Sequence, residues 1–287
     1  MKIRLFCVLV FTSFLAIAQD KMPYQIYTHS GQEASFKDIL KASEKAEIVL
    51  FGEQHDNAII HWLQLELIKD LKGIFDGKKT LVLGAEMFEA DNQVLLNQYL
   101  KGEINQKQLD TTARLWKNYK TDYKPLVEFA KLHAIPFIAT NIPRKFASLV
   151  YKNGFEALNE LTPEEKSWIA TLPILYDAKL PGYVKMLTEM QGHGGENLPK
   201  AQAIKDATMA HFILKNKKEK STFVHFNGTY HSENFEGIVW YLKQKDPKLK
   251  MVTIASVTQE DIIRLNKEHI NKADFIIVVD EDVTKTY

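Results

Sequence analysis

The sequence predicts an α/β domain: a mainly parallel central sheet with helices on both faces and a helical insertion. Three observations predict it. Six short apolar runs recur along the 287 residues, nearly continuous rather than alternating, as strands covered on both faces require. Longer amphipathic segments separate these runs. Between residues 142 and 220 no convincing strand pattern occurs.

Taken in order, the predicted strands are 47–51 (EIVLF), 80–83 (TLVL), 136–139 (PFIA), 222–226 (TFVHF), 250–255 (KMVTIA) and 274–279 (DFIIVV). Helical patterns fall at about 57–72, 90–100, 123–133, 144–160, 232–245 and 259–272. Thr162-Pro163-Glu164-Glu165 reads as a helix start, with a capping hydroxyl, proline at the first helical position and acids in the first turn. Pro173, Pro181 and Pro199 punctuate the following stretch. Residues 145–215 are therefore expected to form the insertion, within one domain spanning 19–287.

The first 18 residues stand apart. Lys2 and Arg4 precede an apolar run over 5–18, and Ala16-Ile17-Ala18 presents small residues before Gln19. This is the pattern of a secretory signal peptide, too short for a membrane span. Its removal takes away two positive charges and no negative ones, moving the formal charge from +1 to −1. Such a balance does not favour nucleic acid as a partner. Cys7 is the single cysteine and lies inside the leader. The mature chain is thus expected to hold no disulfide or thiolate nucleophile. It is expected outside the cytoplasm, periplasmic or secreted, without an evident lipid anchor.

Polar residues gather where strands end. Glu53 and His55 follow the first predicted strand, and Glu86 follows the second. Asn141 and Arg144 follow the third, and Asn227 and His231 the fourth. Open parallel sheets bind ligands at the carboxyl ends of their strands. Two of these segments match: Gly52-Glu-Gln-His55 and Gly228-Thr-Tyr-His231 are both G-x-x-H. Imidazole and carboxylate together suit a catalytic metal ion or general acid–base work. They also suit a hydrogen-bond network that caps strand ends. His225, inside a strand, reads as a satisfied core residue.

Within the insertion, Tyr183, Met186, Leu187 and Met190 recur at helical spacing, with His193 just beyond. Such a stripe reads first as a core-facing helix surface. It would equally suit a flat apolar ligand, and Tyr and His both serve as haem-iron ligands. The sequence lacks G-x-S-x-G, G-x-x-x-x-G-K-[ST], H-E-x-x-H and G-x-G-x-x-G, so serine hydrolases, nucleotide enzymes and standard zinc proteases gain no local support.

Five segments occur in one order: FGEQHDN with His61 and Gln64 after it, GAEMF, NIPR, AQAIKDATMA and FNGTYH. Together they resemble the ChaN-like haem-binding uptake proteins. That family lies in a wider group with Tiki/TraB proteins and erythromycin-esterase-like hydrolases. The resemblance implies an exported α/β protein that binds ferric haem non-covalently as iron cargo. It implies a tyrosine ligand, here Tyr183 in the LPGY segment, with Tyr176 in reserve. His193 would serve the second iron face or a propionate, Arg144 would pair a propionate, and Met190 would line the pocket. Beside haem, a second copy of the chain and an outer-membrane haem receptor are the candidate partners. The rival reading is a hydrolase using Glu53, His55, Glu86 and His231 around a divalent metal ion. The GExH segment is common to the wider group and does not choose between the two.

Overall fold

The computed structural model describes residues 21–189 and 195–287. The predicted leader, Met190 and His193 lie outside them. The strands are β1 (Tyr24–Thr28), β2 (Glu33–Ala34), β3 (Ile48–Glu53), β4 (Thr80–Glu89), β5 (Phe137–Asn141), β6 (Ser221–Gly228), β7 (Met251–Gln259) and β8 (Phe275–Asp280). They form one sheet in the order β2-β1-β8-β7-β3-β6-β4-β5. The six strands from β3 to β8 pair in parallel. The two short strands β1 and β2, absent from the sequence-based expectation, close one edge antiparallel.

The helices are α1 (Phe36–Lys45), α2 (Ala58–Phe75), α3 (Gln93–Leu100), α4 (Gln106–Thr112), α5 (Lys124–Leu132), α6 (Arg144–Asn153), α7 (Pro163–Lys166), α8 (Pro181–Glu189), α9 (Leu198–Asn216) and α10 (Ile238–Lys245). Strand alternation divides the core between the two faces. In β3, Val49 and Phe51 join Leu63 and Leu67 of α2 and Leu126 of α5. Ile48 and Leu50 join Met209 and Ile213 of α9 and Val239 and Leu242 of α10. Both faces of β3 are thus covered, which is why its sequence is an unbroken apolar run. α6 and part of α9 share a smaller core built on Phe146, Val150, Leu158 and Ile204.

Local chemistry sets the helix limits. Asn57 caps α2, its Oδ1 accepting from the Ile59 and Ile60 amides at 3.1 and 3.2 Å. The expected start at Thr162 is present, with its hydroxyl accepting from the Glu165 amide at 3.2 Å. α6 ends at Asn153, short of the expected 160, because Gly154 takes φ +78°. The helix expected over 259–272 does not form. β7 runs on to Gln259, whose buried side chain donates to the Asp261 and Arg264 carbonyls at 2.7 and 2.9 Å. Its Oε1 accepts from the Asn266 amide at 3.0 Å. One side-chain amide thereby organises the loop that a helix would have replaced.

Candidate functional site at the carboxyl ends of the strands

β6 lies between β3 and β4, so the carboxyl ends of these three strands sit side by side. β3 ends on Glu53, only 2% exposed. Its carboxylate is fully engaged: Oε1 accepts from Tyr123 Oη at 2.7 Å and lies 2.8 Å from His55 Nδ1. Oε2 accepts from Gln64 Nε2 at 2.7 Å. Gln64 stands one turn into α2 and points back to the strand end. His55 is one-third exposed, its ring packed edge-on against Trp116. Burial works against its charge, but the Glu53 hydrogen bond and the Glu86 charge outweigh burial and raise its pKa.

β4 continues well past the predicted residue 83, and Glu86 lies inside it. The last β4–β6 pair is Ala85 with Phe226, so Glu86 faces the turn after β6. There the Gly228 amide donates to its Oε2 at 2.8 Å. Its Oε1 lies 3.1 Å from His231 Nε2. His231 Nδ1 donates to Asp206 Oδ1 of α9 at 2.5 Å. Both ring nitrogens of His231 therefore meet carboxylates, and the residue is 6% exposed. Burial opposes its charge, yet Glu86 and Asp206 together carry its pKa up to about 10. Burial likewise acts against ionised Glu86, but the His231 charge and hydrogen bond leave its carboxyl well below the usual range. Asp206 is pushed up, by burial first.

Gly228 is required where it stands. A Cβ there would lie 2.9 Å from His55 Nε2, so the glycine leaves space for the imidazole. Gly52 is similar, since its Cβ would meet the Ile254 carbonyl at 2.7 Å. The two G-x-x-H segments thus share a function: each glycine admits a close neighbour, and each histidine reaches a strand-end carboxylate.

The four residues of the hydrolase reading, Glu53, His55, Glu86 and His231, line one open cleft of about 640 Å³. The divalent metal ion of that reading does not fit. Among the described residues no group of three or more His, Asp or Glu could hold a metal ion. The reason is pairing: His55 Nδ1 and both nitrogens of His231 are taken by carboxylates, which leaves only His55 Nε2 free on the two rings, short of a ligand set. Asn141 and Arg144 line an adjoining cleft of about 610 Å³, which shares Glu86 and Lys205 with the first.

Tyr183 lies apart from these clefts. It is 4% exposed and stacks on Tyr176 with ring centroids 5.4 Å apart. Its hydroxyl is buried and meets the Tyr241 hydroxyl without a well-aligned hydrogen bond. Burial, then the Asp206 charge, pushes the phenol far above its ordinary pKa. Tyr176 also packs edge-on against Phe155 and is only half-buried. His225 is the core residue the sequence suggested. Its Nε2 lies 2.7 Å from Thr140 Oγ1, and its Nδ1 lies 3.0 Å from Asn227 Oδ1. Burial takes its pKa down to about 4.

Sequence reasoning left several contributors without a role. Asp206 was visible one turn after Gln202, but nothing in the sequence pairs it with His231. Tyr123, Asn118 and Asp122 arrive from the segment before α5. Asn118 Nδ2 donates to the His55 carbonyl at 2.8 Å and to Asp122 Oδ2 at 2.7 Å. That segment shows only aromatic and polar residues at irregular spacing.

A family model described as haem-binding uptake, Tiki superfamily, ChaN matches residues 39–242, more than half of the chain. The chain belongs to this family of haem-binding uptake proteins. Among solved structures, ChaN of Campylobacter jejuni, described with cofacial heme binding, is similar at 17% identity and TM-score 0.63. That match covers 89% of this chain and 96% of the other. A Bacillus cereus protein matches at 12% identity and TM-score 0.47, covering 86% and 92%. The erythromycin esterase EreC, as its H289N mutant in an open conformation, matches at 12% and 0.46, covering 83% and 77%. None of the curated proteins matches. The fold of the family, an α/β sheet domain, is the fold expected from the sequence.

Proposed function

We propose that this chain carries ferric haem non-covalently as cargo of iron uptake, with Tyr183 as the axial ligand. The observation behind this reading is the buried Tyr183 hydroxyl, which meets the Tyr241 hydroxyl without a well-aligned hydrogen bond. Buried polar groups are nearly always well paired, so a hydroxyl held this weakly is free to take a stronger partner. The donor chemistry fits haem, since a tyrosine oxygen is a recognised axial ligand. Bound haem would supply a ferric centre, and Tyr183 would hold it through its phenol oxygen. Family membership supports haem as the ligand, and the Campylobacter jejuni relative is described with cofacial heme.

The chain's own residues then have distinct tasks. Tyr183 must give up a proton that burial and Asp206 hold in place, so uptake releases a proton. Tyr176 supports the Tyr183 ring by stacking. Arg144, exposed at the start of α6, offers a guanidinium fork to a propionate. His193 serves the second iron face or a propionate, and Met190 the apolar wall. Export by the leader, a second copy of the chain and an outer-membrane haem receptor complete the reading.

Ferric haem titrated into residues 19–287 should give a saturable Soret shift with high-spin charge-transfer bands. Tyr183→Phe should abolish those bands while Tyr176→Phe retains them. A Tyr183→Phe spectrum equal to wild type would reject Tyr183 as ligand.

A second reading is metal-free hydrolysis at the strand ends, favoured by the Glu53–His55 contact of 2.8 Å. Glu53 orients the imidazole, as an orienting group does for a general base. Loss of esterase activity toward 4-nitrophenyl acetate in His55→Ala would support it; wild-type protein without such activity would count against it.

A further inference from the structure

The cleft next to the Glu86–His231 pair holds more positive charge than the one propionate contact given to Arg144 explains. Arg114, Lys117, Arg144 and Lys205 line it, against the carboxylates of Glu86 and Glu89. Both carboxylates are already committed. Glu86 is held by His231 and the Gly228 amide. Glu89 accepts from Arg114 Nε at 2.8 Å, and Asp91 takes the same guanidinium. Arg114 is thereby neutralised from both sides. The side chains of Lys117, Arg144 and Lys205 form no hydrogen bond or ion pair among the described residues; Asp206 feels the Lys205 charge, and Lys117 and Arg144 stay without a carboxylate in contact.

Two further features point the same way. α6 begins at this cleft, and no side chain caps its N-terminus and no acid occupies its first turn. An uncapped helix start adds free amide donors and partial positive charge. Asn141 Oδ1, also in the lining, is a buried acceptor with no partner. A cation cluster asks for an anion, whereas an orphaned acceptor asks for an N–H or O–H donor. Trp116, whose ring meets His55, supplies a flat apolar wall beside them.

We infer that this cleft binds a carboxylate whose molecule also bears an N–H or O–H donor, with Arg144, Lys117 and Lys205 facing the anion and Asn141 receiving the donor. This deepens the strand-end reading, because Glu86 forms part of both clefts and the bound acid would lie beside His55 and His231. A small N-acyl or hydroxy acid carries both groups, whereas a haem propionate carries the anion alone.

Calorimetric titration distinguishes these sources, with N-acetylglutamate as the acid bearing an amide N–H and glutarate as the acid without one. N-acetylglutamate should saturate the full chain and bind several-fold tighter than glutarate. Lys117→Ala combined with Arg144→Ala should weaken both by about tenfold or more, since both residues are exposed and their loss costs charge-assisted contacts without disturbing packing. Asn141→Ala should erase the preference for N-acetylglutamate. Absence of saturable heat with either acid would overturn the inference, as would a double variant that binds like wild type. Haem loaded beforehand adds a second arm: retained N-acetylglutamate binding supports a separate acid, and lost binding assigns the cleft to a haem propionate and overturns the inference. His55→Ala should keep acid binding even if no hydrolysis is ever observed, which separates the failure of this inference from failure of the hydrolase reading.

Discussion

His231 and Asp206 are joined by a 2.5 Å hydrogen bond across 25 residues of sequence. It ties the turn after β6 to the middle of α9. Both groups are buried, and Glu86 faces the opposite side of the ring. Removing one carboxylate leaves a buried imidazolium with half its compensation. Asp206→Ala should therefore destabilise the fold by about 3–5 kcal/mol, the usual cost of breaking a buried pair. Urea unfolding measures this directly. A loss below about 1 kcal/mol, the scale of a surface pair, would contradict the buried-pair account.

The pH dependence of stability follows from two histidines with opposite shifts. His231 has a folded pKa of about 10 against an ordinary 6.5. Its contribution is complete below pH 6.5 and fades as pH rises toward 10, because the folded state there binds the extra proton. His225 has a folded pKa of about 4. Between pH 6.5 and 4 the unfolded chain binds the extra proton, so stability falls as pH drops through that window. Unfolding free energy measured across pH 4–10 should peak near neutrality and decline on both sides. A flat profile from pH 7 to 10 would contradict the His231 assignment.

Tyr183→Phe removes a hydroxyl that meets Tyr241 without a well-aligned hydrogen bond. Tyr241 keeps its own bond to the Leu175 carbonyl at 2.8 Å, so stability should hold within about 1 kcal/mol. Haem binding and stability then separate cleanly in one variant. Wild-type haem affinity should also rise with pH, because Tyr183 must shed its proton to ligate. Spectral titrations at pH 6 and pH 9 measure the second effect.

Gly228→Ala places a methyl group 2.9 Å from His55 Nε2. The ring must move away from its position above Glu86. Any esterase activity at the strand ends should fall severely in this variant, while the haem spectrum stays unchanged. An active Gly228→Ala protein would show that the His55 position is not needed.

Gly84 tests the sheet itself. A Cβ on this β4 residue would sit 2.7 Å from two atoms of the Phe223 ring and 3.1 Å from Thr140 Cγ2. Gly84→Ala overpacks a closed layer and should cost about 1–3 kcal/mol by chemical denaturation.

Much of this architecture was readable in advance. The apolar runs marked β3 through β8 because a strand covered on both faces must be apolar at consecutive positions. β1 and β2 escaped notice: they alternate weakly and gain their place by pairing with β8. The 259–272 segment looked helical by periodicity, yet the Gln259 side chain organised it otherwise. The strand-end residues Glu53, His55, Glu86 and His231 were legible because each follows a strand and all strands of a parallel sheet end on one edge. That a metal ion does not fit among them was not legible, since ligand capacity depends on which nitrogen meets which carboxylate.

By itself the sequence determined the parallel α/β layering and the set of polar side chains delivered to one edge, since both follow from local residue type and period. Only the tertiary structure decided the pairings. Inserting β6 between β3 and β4 set Gly228 against Glu86, and packing α9 on the sheet brought Asp206 to His231. It also buried the Tyr183 hydroxyl beside Tyr241. Hydrogen-bond partners a hundred residues apart are chosen by how elements pack, and no local signal records that choice.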